Sequence, residues 1–231
     1  MDTPTPNDAA RDAGAASEFN AAFPPQYTVL GVKLLPLSLG RYRIMKWAGV
    51  SFVADEETVP TVEDLFTGIV IAGMKCDEFL QLLSNGKLQK TLRKFGKILR
   101  KRMDREKDFN IHQKIELFSK YILDAQTLPW IPLPIQNDSA MNPTRTHWST
   151  TAEVVLRGAL NWSKQEIDEE PLSKALADYF KHMENEGSVV LMPHELYQEM
   201  NDEGMKNAEV LERMAAAREE AENKEGATVW D

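Results

Sequence analysis

Four histidines, His112, His147, His182 and His194, and a single cysteine, Cys76, are the side chains whose types most readily carry chemistry. His182 and Glu186 stand four apart on one expected helix, with His194-Glu195 a turn later, so a mixed histidine and carboxylate metal site can be drawn. Metal binding needs three or four convergent ligands with ordered outer partners, and this spacing does not demand that. The histidines are therefore read as structural, and no metal ligand is assigned. Cys76 falls at an expected helix start, where a thiol pKa can drop. Without a histidine in its motif it reads as a small buried hydrophobe. Gly86-Lys87 and Gly96-Lys97 lack the upstream glycine of a phosphate-cradling loop, since Gln81 and Thr91 stand there. No G-x-S-x-G elbow occurs, and no nucleophile, base and oxyanion arrangement is visible. The chain is expected to be non-enzymatic, without cofactor or metal.

The basic run carries more. Lys87, Lys90, Arg93, Lys94, Lys97, Arg100, Lys101, Arg102, Arg105 and Lys107 stand against only Asp104 and Glu106. Leu88, Leu92, Phe95, Leu99 and Met103 follow spacings of four, three, four and four, which predicts a helix with one apolar stripe and a cationic remainder. Most such faces are merely solvated. The alternative use is steering of an acidic partner, with Arg93, Lys97 and Arg100 as the candidate contacts. Trp130, Ile131 and Leu133 are the candidate apolar anchors, placed on a proline-rich segment expected at the surface between two helical units. An aromatic residue in such a segment more often pins the loop to the core than meets a partner.

The elements that must position these residues are mostly helical. Ser38 is a cap for a helix through Trp47, and Thr61 with Asp64 forms a capping pair ahead of Leu65. Helices are also expected from Cys76 to Leu83, from Lys87 to about Arg105 and from Ile111 to Ala125. Thr150 with Glu153 and Ser163 with Glu166 predict two further caps. Pro171 opens a helix through Asn185, and Pro193 a last one to about Asn223. Residues between Tyr27 and Leu37 suggest a short strand or hairpin, and Ser188 to Met192 a short strand. The expected organisation is a mostly α fold with at most one or two short strands. Its parts are a flexible tail over 1–25, a helical body over 26–126, a proline-rich connector over 127–147, a smaller helical unit over 148–192, and a last helix with an acidic tail over 193–231.

Composition narrows the partners. The chain has 231 residues with 27 basic and 36 acidic side chains, a net charge of −9, so as a whole it is not a general polyanion binder. One cysteine excludes an internal disulfide. The most apolar stretch, Leu65 to Met74, is about half the roughly 20 residues a membrane span needs. The N-terminus has no apolar core of a signal peptide, and a cytosolic protein is expected.

Three phrases resemble a known family. They are Leu34-Leu35-Pro36-Leu37-Ser38-Leu39-Gly40-Arg41-Tyr42; Ala159-Leu160-Asn161-Trp162-Ser163 continuing through Glu166-Ile167-Asp168 to Pro171-Leu172 and Ala175; and Tyr179-Phe180 through Met183-Glu184 to Glu186-Gly187. Together they resemble phage and prophage tail-module proteins of the tail assembly chaperone type. The resemblance implies a helical, non-enzymatic protein of the host bacterial cytoplasm. Such proteins bind the tape measure protein, keep its hydrophobic helices soluble and help recruit tail tube subunits. Self-association is compatible with it, and the family has no catalytic residues to carry over. A virion structural or connector protein is the alternative, and a nucleic-acid-binding helical module over residues 87–107 is a weaker one.

Overall fold

The computed structural model describes residues 24–54, 58–105, 109–135 and 147–203. Most of the expected N-terminal tail, the polar end of the connector and the final stretch beyond Glu203 lie outside the described residues. The fold is mostly α, with nine α-helices among the described residues.

The chain enters through a hairpin of β1 (Thr28–Val29) and β2 (Val32–Lys33), paired antiparallel with Val29 opposite Val32. Its two-residue turn, Leu30-Gly31, takes positive φ at both positions (50° and 69°). That is the twist a two-residue hairpin requires, and glycine supplies half of it at no steric cost. Helix α1 (Leu39–Trp47) follows, with Ser38 as its cap, accepting from the Arg41 N–H as the sequence predicts.

Helix α2 (Val62–Ala72) is the centre of the molecule. Seven of its residues, Leu65, Phe66, Gly68, Ile69, Val70, Ile71 and Ala72, are buried. A helix apolar around most of its circumference has to be surrounded, and α2 packs on α1, on a short 3-10 turn at Ser51–Val53, on α4 (Leu88–Met103) and on α5 (Ile111–Gln126). Between α2 and α4 lies α3 (Cys76–Ser84). Gly68 sets how near α5 comes, since a Cβ there would sit 2.7 Å from the Phe118 ring.

Helices α6 (Trp148–Gly158), α7 (Lys164–Glu169) and α8 (Leu172–Asn185) complete the layer. Ala152, Leu156, Ile167, Leu172, Ala175 and Leu176 join the same core as the first five helices, so both helical units expected from sequence contribute to one core. The expected capping pair of Thr150 and Glu153 is not the start of α6. The cap lies three residues earlier, at His147, whose ring accepts from the Ser149 N–H. The Ser163 and Glu166 box is present as expected.

The first part of the proline-rich connector is extended and pairs as a strand. Residues Trp130–Pro134 form β3, which pairs antiparallel with β4 (Val189–Pro193), Ile131 opposite Met192 and Leu133 opposite Val190. Among the described residues four short strands form two pairs, where at most one or two were expected. The prolines permit this because of their parity. Ile135 donates its N–H to the Ser188 carbonyl at 3.1 Å, so the N–H groups of Leu133 and Ile131 also face β4, while Pro132 and Pro134 place their donor-less nitrogens on the free edge. Met192, fully buried, packs with Leu133, Val190 and residues of α9 (His194–Glu203) in a cluster apart from the main core.

Candidate functional site

A cleft of about 730 Å³ lies between the end of α1, α2, α3 and α4. Leu88 and Leu99 bury themselves near the two ends of α4, while Leu92 is only partly covered. The floor is apolar, made by Phe66, Ile71, Phe79 and Leu88. Trp47, the last residue of α1, stands at the rim with 65% of its surface exposed. Its ring meets the Phe79 ring edge-on at 6.4 Å, which holds the indole over the opening rather than in the core.

The opposite rim is cationic. Arg93, Lys97 and Arg100 all line the cleft, as spacings of four and three on one helix face require. They are not equivalent. Arg100 donates to the Glu63 carboxylate at 2.9 Å, an exposed pair of small energetic weight. Arg93 and Lys97 have no acidic partner among the described residues. Two cations beside an apolar floor therefore remain uncompensated among the described residues.

Across Trp47 and Phe79 a smaller recess of about 330 Å³ is bordered by Ile44, Leu80 and Leu83. Here the charges cancel. Arg43 pairs with Glu153, and Lys164 with Asp168 at 3.3 Å. Of these two recesses, the larger carries the unbalanced charge among the described residues.

The candidate residues on the connector lie elsewhere. Trp130, Ile131 and Leu133 are half-buried in β3 and do not line the cleft. The Lys181 ammonium sits 5.5 Å from the centre of the Trp130 ring, and Leu133 packs toward Met192. The structure thus brings the three cations together and does not bring the three connector residues to them. Sequence reasoning missed Trp47, Phe66, Phe79 and Gly96 as lining residues. For Trp47 the available signal was an aromatic on the last turn of a short helix, two residues before a glycine.

A buried polar junction lies behind the cleft. Arg41, 1% exposed, donates to the carbonyls of Met74 (3.1 Å) and Pro36 (3.0 Å), to Ser38 Oγ (3.3 Å) and to the Glu169 carboxylate (2.6 Å). Ser38 Oγ and the Cys76 thiol both donate to the Asp168 carbonyl, at 2.5 and 3.1 Å. Burial pushes the Cys76 thiol up to about 11, against the opposing pull of the Arg41 charge, which suits a protonated donor. These contacts join the first two phrases on which the family resemblance rests, and the Leu172 N–H on the Leu37 carbonyl (2.6 Å) closes the same seam. Among the described residues no three His, Cys, Asp or Glu side chains converge as metal ligands, and no helix is long and apolar enough to cross a membrane. Comparison with known proteins finds no match to a family model, to a curated protein or to a solved structure.

Proposed function

We propose that this chain is a non-enzymatic tail assembly chaperone of a phage or prophage, which binds the tape measure protein in the host bacterial cytoplasm and helps recruit tail tube subunits. The observation that carries the reading is the apolar cleft beneath Trp47 with Arg93 and Lys97 uncompensated on its rim. A floor of this kind suits the apolar face of a helix, and long helices with exposed apolar faces are what a tape measure protein presents before assembly. The resemblance of the Leu34–Tyr42 and Ala159–Ala175 phrases supplies the identity of the partner; the cleft supplies the means of holding it.

Co-expression with the tape measure protein of the same phage tests this. The expected result is co-purification and a larger soluble fraction of the tape measure protein. If the wild-type chain neither co-purifies with it nor raises its solubility, the chaperone reading fails. Recovery of the chain from purified particles would then favour the virion structural or connector reading.

A further inference from the structure

Gly96 stands in the middle of α4, between Arg93 and Lys97, and lines the cleft. Glycine inside a helix is less stable than alanine. The fold gives no return for that cost. A Cβ at Gly96 would meet nothing within 4 Å, unlike Gly40 or Gly68, where neighbouring groups come within 3 Å of the same position. Its φ is not positive either, so no turn demands it. What a side chain at 96 would do is stand in the open space of the cleft.

We propose that the cleft seats an acidic-flanked amphipathic helix of the partner, which crosses α4 at Gly96, lays its apolar face on Phe66, Phe79 and Leu92, and sets carboxylates about one turn apart on Arg93 and Lys97. A missing side chain at the crossing point lets the occupant's backbone come closer than the usual 8–10 Å between helix axes. The two cations are four residues apart on one helix, so the carboxylates that meet them are spaced by three or four residues on the occupant. Arg100, engaged by Glu63, adds less. The inference deepens the proposed chaperone role and rests on the cleft being its partner-binding surface.

The test uses the full chain and labelled 18-residue helical peptides with leucines at three-and-four spacing, one flanked by glutamates and one, otherwise identical, by lysines. A third peptide is residues 204–223 of this chain. Fluorescence anisotropy should show the glutamate peptide binding at least about tenfold more tightly than the lysine peptide, and Arg93→Glu with Lys97→Glu should abolish that preference. Gly96→Ala should raise Tm by about 2–4 °C, and Gly96→Leu should weaken the glutamate peptide by about tenfold without lowering Tm. Equal binding of both designed peptides, or of neither, overturns the inference, as does an unchanged affinity of Gly96→Leu. Binding of the 204–223 peptide alone overturns it too, and gives the cleft to the chain's own C-terminal segment. If Gly96→Leu still captures the tape measure protein, the chaperone reading survives and this inference does not. If the glutamate peptide binds as expected but the tape measure protein is not captured, the chaperone reading fails and the chemistry of the cleft stands.

Discussion

Asp64 shows how much one side chain fixes near the cleft. Its carboxylate accepts from the Thr61 N–H (2.9 Å), the Thr61 hydroxyl (2.7 Å) and the Ser51 hydroxyl (2.8 Å), tying the start of α2 to the preceding 3-10 turn. Partial burial opposes ionisation, but those hydrogen bonds outweigh it and hold the carboxyl below its ordinary value of 3.8. The stabilisation from a depressed carboxylate is therefore complete above that ordinary value and is lost as pH falls through the lower, folded one. Urea midpoints measured down a pH series should fall on the acid side for the wild type and fall less for Asp64→Asn. Gly40 is a second such residue. A Cβ there would lie 2.9 Å from the Asp168 Cα and 2.5 Å from its carboxylate oxygen, and backbone cannot move aside as a side chain can. Gly40→Ala should cost about 1–3 kcal/mol by forcing α1 and α7 apart, read as a lower urea midpoint with an unchanged slope. Arg41→Ala at the same seam should cost about 1–3 kcal/mol, chiefly because it strips the Met74 and Pro36 carbonyls of their donor, while the partly exposed Glu169 carboxylate keeps its hydration. Neither consequence was legible in the phrase Leu-Ser-Leu-Gly-Arg, since Asp168, which crowds Gly40, and Glu169, which pairs with Arg41, each lie 128 residues further along the chain.

At the scale of elements, what the sequence disclosed and what it hid divide by range. The caps at Ser38, Thr61 and Ser163 are local hydrogen bonds, readable from residues three apart, and each is where spacing predicted it. The cap at Thr150 failed because tertiary packing of Trp148 on Tyr42, with ring centres 5.0 Å apart, draws Trp148 into the helix. Strand β3 was hidden for a different reason. Its partner is nearly 60 residues away, and only the pairing shows that its prolines take the free edge. The cluster around Met192 is small and separate from the main core. Amides of β3, β4 and α9 should accordingly exchange through openings of lower free energy than those of α2 and α5. Leu133→Ala should lower that local opening energy further while leaving capture at the α4 cleft unchanged, as native-state hydrogen exchange and a pull-down would read side by side.

For the molecule as a whole, one core holds the helices of both halves, and the outer face of α4 is left to present charge. The cation run was legible in sequence, including the grouping of Arg93, Lys97 and Arg100 on one face. Its apolar counterpart was not, because the floor is assembled from α2, α3 and the start of α4 and carries no single periodicity. The proposed function has the partner enter here rather than at the connector. Hydrogen–deuterium exchange on the chain, free and in complex with the tape measure protein, tests it most directly. Protection on binding should concentrate in residues 44–48 and 88–100. Protection confined to residues 130–134 and 189–193, with 88–100 unchanged, would contradict it.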